Sequence, residues 1–510
     1  MADYKDVKKR VEGMFSERQI YESLWETAYE YIAPERAVFF TKNQRSPNEV
    51  GDEVFDSTAI DDAERLVNLL LSRLTPPWQK WFRIEPGPAL DDPQLREQVR
   101  PLLQQAEDRM FTLLSRSNFY QELQPALLDR VVGGTAVLGM RPDYDDETVR
   151  FKATPLAEAA VQEDNAGEVI GVARRADWSY RELTRTYGEQ LPQEFIESAQ
   201  NDPDKRKHTL YEAEFRTAAG DFESYVFLKD TPKFLASGVS TAPHMLATRW
   251  TKVPGSAYGR GPGLRALADV RALNKIKELA LKNAAKAVAG VYTVVDDGII
   301  NPYTLSMEPG TFLPVQTNDV QNPSIAELPQ SGNFDVAMFQ MDDLRSAIAR
   351  VFLADQFGSL ERTPRTATEI QERTNIVAQE LGSTVARLQH ELLQPLLKAV
   401  FHWMGEMEQL PSGIELDGEN LEVVFVSQLA QAQWAMDEQN LLEYTQIATQ
   451  FGQVDPQAGL IIDVHKALRK VAEIKGIPAD VLRSEQEIQQ VMQEAADNQQ
   501  AMQEGQGGME

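Results

Sequence analysis

Arg265–Lys286 reads RALADVRALNKIKELALKNAAK, and it runs against the rest of the chain. The protein has 510 residues and a formal net charge of −27. This stretch holds Arg265, Arg271, Lys275, Lys277, Lys282 and Lys286 against only Asp269 and Glu278. At about 100° per residue, Arg271, Lys275, Lys282 and Lys286 fall within roughly 60° of arc on one helix face. Val270, Leu281, Ala284 and Val288 form an apolar flank on one side, and Ile276 and Leu279 lie on the other. A helix of this pattern is predicted to be wedged between neighbours with one edge showing. A basic stripe on an acidic protein points to a polyanion nearby. A solvated helix face is the competing reading, and Glu278 dilutes the stripe.

Upstream, Gly259, Gly261 and Gly263 alternate, and Pro262 suits a helix first turn. The run predicts a structural hinge rather than a phosphate loop. It lacks the Lys-Ser/Thr pair, and Pro262 removes an amide that a phosphate would need. The basic helix is predicted from there to Ala289. Gly290 to Gln316 reads as a β-like insert, with strands Val291–Val295 and Thr311–Val315 and a turn at Asp297-Gly298. A helix Phe334–Leu353 and a short interruption, Ala354–Arg365, follow. Thr366-Ala367-Thr368-Glu369 fits a capping box for a helix reaching Met404, kinked at Pro395. A lone strand, Leu421–Val426, leads into a helical C-terminal third. Glu485–Gly508, rich in Gln, Glu and Ala, is read as helical and then disordered.

Toward the N-terminus, Trp25, Tyr29 and Ile32 mark a helix from Tyr4 to Ala33, stopped by Pro34. Phe39–Val54 is polar and reads as a loop. Asp56-Ser57-Thr58 offers caps for a helix through Leu66, Leu69, Leu70 and Leu74, ended by Thr75-Pro76-Pro77. Trp78, Trp81 and Phe82 read as a core anchor rather than a base-stacking platform. Helices follow over Pro93–Ser115 and from Asn118-Phe119-Tyr120 to Val132. Gly133-Gly134-Thr135 marks a tight backbone approach. From there to Trp250 the period becomes two, predicting strands Val149–Ala153, Val169–Arg175, Tyr211–Thr217, Phe222–Leu228 and Met245–Thr251. A helix, Ser179–Tyr187, interrupts them and is closed by Gly188. The class is α+β, predominantly helical, with a mostly antiparallel sheet.

With no cysteine, disulfides, thiolate catalysis and Cys-based metal sites are excluded. His208, His244, His390, His402 and His465 are scattered, without an HExxH pair. Asp143, Asp145 and Asp146, and the pair Asp296-Asp297, could hold Mg²⁺ in a nuclease. All sit beside turn residues, where Asp is common for backbone reasons. No Ser or Thr shows a hydrolase motif. Apolar runs such as Leu66–Leu74 are too short to cross a bilayer. The chain reads as soluble, intracellularly assembled and without cofactor.

Several segments together resemble a known family. They are Asp56-Ser57-Thr58 with Thr75-Pro76-Pro77 and Trp81-Phe82; Ser117-Asn118-Phe119-Tyr120 with Gly134-Thr135-Ala136; Gly261–Lys286 with Ala268-Asp269-Val270 and Leu273-Asn274; and Arg365-Thr366-Ala367-Thr368-Glu369. In order and spacing the chain is similar to the head-to-tail connector, or portal, proteins of short-tailed, T7-like phages. The resemblance implies a portal fold with wing, stem, clip and crown regions, closed into a ring, usually a dodecamer, around a DNA channel. Residues 1–254 would then supply N-terminal helices and the wing. Residues 255–289 and 334–353 would be paired stem helices, and 290–333 the clip. Residues 354–365 would be a tunnel loop, carrying Gln356, Phe357, Gly358, Ser359, Leu360, Glu361, Arg362 and Thr363. Residues 366–430 would form the long wing helix and strand, 431–490 the crown, and 491–510 a disordered tail.

The implied role is a non-enzymatic conduit for genome packaging and ejection. It sits at the portal vertex of the virion and is assembled in the host bacterial cytoplasm. The implied partners are double-stranded DNA without sequence specificity, terminase, tail adaptor proteins, capsid and scaffolding proteins, and no membrane. Arg271, Lys275, Lys282 and Lys286 are the expected channel contacts. The rival readings are a metal-dependent DNA-processing enzyme and an internal scaffold protein of a virion.

Overall fold

The computed structural model describes residues 2–37, 51, 53–87, 93–193, 195–196, 208–289, 292–294, 325–327, 334–354, 380–411, 421–426, 441, 443–448, 467–468 and 471. In chain order the first elements are α1 (Tyr4–Glu17), α2 (Gln19–Ile32), a one-turn α3 (Pro34–Ala37), α4 (Thr58–Leu74), β1 (Phe82–Pro86), α5 (Pro93–Arg116) and α6 (Phe119–Val132). Then come β2 (Thr135–Asp143), β3 (Thr148–Thr154), β4 (Ala159–Glu163), β5 (Val169–Trp178), α7 (Tyr180–Tyr187), β6 (His208–Arg216), β7 (Phe222–Leu228), β8 (Phe234–Ser240) and β9 (Met245–Arg249). The remainder is α8 (Pro262–Ala289), β10 (Tyr292–Val294), β11 (Ile325–Glu327), α9 (Phe334–Val351), a π-turn (Gln389–Leu393), α10 (Gln394–Glu406) and β12 (Leu421–Phe425).

The chain divides into two interleaved units. The first comprises Met1–Leu70, Ser117–Arg365 and Gly382–Leu396. Two antiparallel sheets form its β part, ordered β3-β2-β9 and β4-β5-β6-β7-β8. Period-two alternation in β6 and β7 sends Tyr211, Ala213, Phe215, Tyr225 and Phe227 into a cluster with Val7, Val11, Met14 and Phe15 of α1. Leu210 and Leu228 instead join Leu183, Tyr187 and Leu191 from α7 and the turn after it. Ser179 caps α7 in a reciprocal box with Glu182. The helix closes at Gly188 as expected, and Gly188 stays right-handed and leads into a 3-10 turn.

The helix expected over Tyr4–Ala33 is two helices. Arg18 sits between them, fully buried, and its Nη1 donates to the carbonyls of Leu156 (3.0 Å) and Ala159 (2.6 Å). The break lets α1 cover the large sheet, while α2 turns toward α6. There the Trp25 indole donates to the Gly133 carbonyl (3.1 Å) and the Tyr29 hydroxyl to Asp129 (2.7 Å).

The glycine run before α8 is a packed joint, not the expected hinge. A Cβ on Gly261 would stand 2.9 Å from the Arg130 carbonyl oxygen, and one on Gly263 would stand 2.8 Å from Val132 Cα. Gly134, at φ +84°, faces the same joint, and its Cβ would meet the Gly261 nitrogen at 2.5 Å. Backbone therefore touches backbone, which only residues without a side chain permit. Behind the joint, Arg249 of β9 links three segments. Its guanidinium donates to Glu391 in the π-turn (2.7 Å), to Glu163 (2.8 Å) and to the Gly167 carbonyl (2.9 Å). The π-turn stands just before Pro395, where a kink was expected. The widened turn comes first, Gln394 N–H reaching back to the Gln389 carbonyl, and Pro395 falls inside the first turn of α10.

The second unit comprises Leu71–Arg116, Thr366–Leu381 and Leu397–Glu510. Its β1 pairs antiparallel with β12, setting Phe82 opposite Phe425. The expected lone strand therefore has a partner. Trp81 and Phe82 are fully buried as expected, but Trp78 is 71% exposed, because the chain is still turning after Pro76-Pro77. The expected strand Thr311–Val315, the capping box Thr366–Glu369, the pair Asp296-Asp297, the tunnel-loop residues Gln356–Thr363 and the tail Glu485–Gly508 lie outside the described residues.

Asp129 yields a pH prediction. Burial outweighs the Arg36 guanidinium and the Tyr29 hydroxyl and raises its carboxyl from 3.8 to about 6. Between those values the folded chain binds more protons than the unfolded one. Asp129 thus adds stability below about pH 4, and that contribution is lost as pH rises through about 6. Asp129→Asn cannot titrate. The stability of wild type relative to this variant should therefore fall as pH is raised across that window in denaturant titrations. A constant difference would show that Asp129 does not titrate there.

Candidate nucleic-acid interface

The expected basic helix is present with the expected bounds, Pro262–Ala289, and α9 packs beside it. Between them β10 and β11 pair antiparallel, Tyr292 opposite Glu327 and Val294 opposite Ile325. The pair therefore forms a helical hairpin with a short β ladder in its connection.

One loop fastens both helices near the body of the first unit. Asn274, buried in α8, accepts the Phe55 and Asp56 amides on Oδ1 at 2.7 and 3.1 Å. Asp56 caps α4 by accepting the Thr58 amide (3.1 Å) and hydroxyl (2.5 Å) on Oδ1. Its Oδ2 accepts Arg345 of α9 twice, from Nη2 (2.7 Å) and Nε (3.2 Å). Burial opposes ionisation of Asp56, yet the hydrogen bonds from Thr58 and Arg345 prevail and hold its carboxyl below the usual range. The cap at Asp56-Ser57-Thr58 was legible in sequence. Its second role was not, since nothing in sequence pairs Asp56 with Arg345. The one available signal was Asn274, an amide on the otherwise apolar buried face of a helix.

The stripe divides by environment. Arg271, Lys275 and Lys282 are exposed; Lys286 belongs to the helix, but its side chain is outside the described set. Lys275 and Lys282 converge on Glu278, at 2.8 and 2.5 Å. Hydrogen bonds from Lys275 and then Lys282 hold the Glu278 carboxyl down at about 2. Arg271 has no carboxylate partner among the described residues and lies near the Tyr31 phenol of α2. The expected apolar flanks hold only for the first half of the helix. Val270 and Leu273 are buried, whereas Leu279 and Leu281 are 50% and 48% exposed. Early in α9, Val336, Met338 and Phe339 are also exposed, Phe339 to 76%, while Met341 and Ile348 are buried. The part of the hairpin away from the Asp56 loop thus carries exposed apolar side chains on both helices.

Of the carboxylates weighed as metal ligands, Asp143 and Asp146 are engaged by an arginine. Arg150 binds Asp143 through Nε (2.5 Å) and Asp146 through Nη2. His244 lies beside Glu214, which also accepts the His244 and Met245 amides. Among the described residues no three His, Asp or Glu side chains gather as a metal site, and no helix is long and apolar enough to cross a membrane.

A mixed helix–sheet body presenting such a hairpin matches one family along almost its full length. The model of the bacteriophage head to tail connecting protein family covers residues 4–482, and the chain belongs to that family. It is 25% identical to the probable portal protein of Bordetella phage BPP-1, over 96% of this chain and 90% of the relative. It is 23% identical to the portal protein of Salmonella phage epsilon15, over 97% of this chain and 91% of the relative. The family is one of structural components of the virion. Neither rival reading, enzyme or internal scaffold, gains support from these matches.

Asp56→Ala should lower unfolding stability by about 2 kcal/mol, through the lost cap and the lost hydrogen bonds to Arg345, whose Nη1 keeps Asp342 at 3.1 Å. Ser57→Ala, whose hydroxyl reaches only exposed Asp61 at 3.3 Å, should have little effect. Denaturant midpoints check both. Equal midpoints for the two variants would show that the loop does not fasten the hairpin.

Proposed function

We propose that this chain is the portal subunit of a short-tailed phage. Copies close into a ring, a dodecamer on the family pattern, at one capsid vertex. Double-stranded DNA enters and leaves through its bore. The observation that carries the reading is the combination of family membership with a hairpin whose apolar side chains, Leu279, Leu281, Val336, Met338 and Phe339, face solvent in a single copy. Contiguous exposed apolar groups mark association sites. A repeated contact between unlike faces closes into a ring when the rotation permits.

On this reading α8 and α9 are the stem, residues 290–333 the clip, residues 1–254 with 366–430 the wing, and 431–490 the crown. Gln356–Thr363 is the loop that narrows the bore. The ring is a non-catalytic conduit, assembled in the host cytoplasm with capsid and scaffolding proteins. Terminase supplies the hydrolysis, and tail adaptors dock at the clip. Arg271, Lys275, Lys282 and Lys286 face the duplex. A wall charge about 10 Å from a phosphate contributes only roughly 0.4 kcal/mol in a water-like dielectric. The bore therefore guides DNA without gripping it, and contact with phosphates alone reads no sequence.

Negative-stain imaging of the purified chain should show rings with a central hole. Reversing all four bases to Glu should leave the rings intact and reduce packaged DNA. A protein that stays monomeric both in solution and in virions would overturn the portal reading. Intact rings with undiminished packaging would show that the stripe faces elsewhere.

A further inference from the structure

We propose that Glu278 attenuates the basic stripe, occupying Lys275 and Lys282 so that the helix holds a passing polyanion more weakly than its lysine content implies. The inference rests on the reading that this face of α8 meets duplex DNA.

The geometry is specific. Lys275 and Lys282 lie three residues before and four after Glu278, the two spacings that bring helix side chains together. Each takes its own carboxylate oxygen: Lys275 Nζ reaches Oε2 at 2.8 Å and Lys282 Nζ reaches Oε1 at 2.5 Å. The lysine side chains are 65% and 64% exposed, while that of Glu278 is only 18% exposed. The cations thus lean inward over a sheltered anion. With the carboxyl held down at about 2, Glu278 stays charged throughout the neutral and mildly acidic range.

Two lysines that would read as a double positive charge therefore present, with Glu278 between them, a single one. Arg271 is left as the described member of the stripe that no described carboxylate compensates. Exposed ion pairs are weak, so a phosphate can still draw a lysine away. Each such exchange gives up a contact with Glu278, and this levels the free energy of DNA at successive positions along the helix. Every phosphodiester presents the same chemistry, so the ligand class is any nucleic-acid duplex, whatever its sequence.

The test uses the full chain and a labelled mixed-sequence DNA duplex, with binding followed by fluorescence anisotropy over a salt series. Four proteins are compared with wild type: Glu278→Gln, Glu278→Ala, the double variant Lys275→Gln/Lys282→Gln, and Asp343→Asn. Asp343 is an exposed acid on α9 outside the lysine bridge, so its variant makes the same charge change as Glu278→Gln elsewhere. Both Glu278 variants should bind more tightly at low salt, with the log–log salt slope steeper by about 0.9 for each lysine that gains a phosphate. The lysine double variant should bind more weakly with a shallower slope, and Asp343→Asn should stay near wild type.

If the lysine double variant weakens binding but the Glu278 variants merely track Asp343→Asn, the attenuation is wrong and the DNA-facing stripe stands. If the Glu278 variants and the lysine double variant all bind as wild type does, the stripe does not meet DNA, and the inference falls with the reading beneath it. Ring formation by each variant, read by imaging, separates these outcomes from misassembly.

Discussion

The closeness of two backbones at one joint governs the first unit. Gly134 on one side, and Gly259, Gly261 and Gly263 on the other, bring the first turn of α8 against the end of α6 with no side chain between. The Gly259 amide donates to the Thr135 hydroxyl at 2.9 Å, and the Trp250 amide donates to the Gly134 carbonyl at 2.9 Å. α8 is thereby registered to β2 and β9 before any of its own side chains is considered. An alanine at Gly134 would be unfavourable twice over, since its φ is +84° and its Cβ would enter the neighbouring backbone. A flexible hinge would leave the direction of a long helix open, whereas this joint fixes it at the root. Asn274, Asp56 and Arg345 then fix α8 and α9 together further along.

Close packing at the joint has an electrostatic consequence. Arg130, at the end of α6, is fully buried, and burial lowers its guanidinium to about 9. Its Nη2 donates to the Arg249 carbonyl at 3.0 Å and the Thr384 carbonyl at 2.8 Å, and its guanidinium lies over Trp250. Glu391 acts on it at longer range while binding Arg249 directly. Replacing one member of such a buried network leaves an unpaired charge, which costs more than the intact pair contributes. These residues therefore specify one arrangement of α6, β9 and the π-turn more than they add stability.

Much of this architecture was legible from pattern. Phe222–Leu228 is a strand with the expected bounds, and Pro262 and the apolar spacing behind it gave the limits of α8. What escaped was set by tertiary partners. Ala159–Glu163 and Phe234–Ser240 are weak strand formers that become the edges of the five-stranded sheet because β5 and β7 offer them ladders. The break at Arg18 exists because two distant carbonyls accept its guanidinium, and no local pattern encodes that. In the stripe, helical spacing alone placed Lys275, Glu278 and Lys282 on one face. That Glu278 would engage both lysines at once depends on rotamers rather than spacing.

On the proposed reading, the stripe is how an acidic chain meets a polyanion. A net charge of −27 discourages nonspecific association over most of the surface. Against that background a few exposed cations on one helix suffice to make a local path, provided they do not read bases. Base recognition needs polar or charged side chains held out toward groove edges in a fixed geometry. The buried amide adjoining the stripe, Asn274, is already committed: its oxygen holds the Phe55 and Asp56 amides, and its Nδ2 donates to the Val270 carbonyl at 2.9 Å. The side chain that fastens the helix to the body is thus withdrawn from recognition. Lysines, point charges on flexible stems, make up most of what remains on that face.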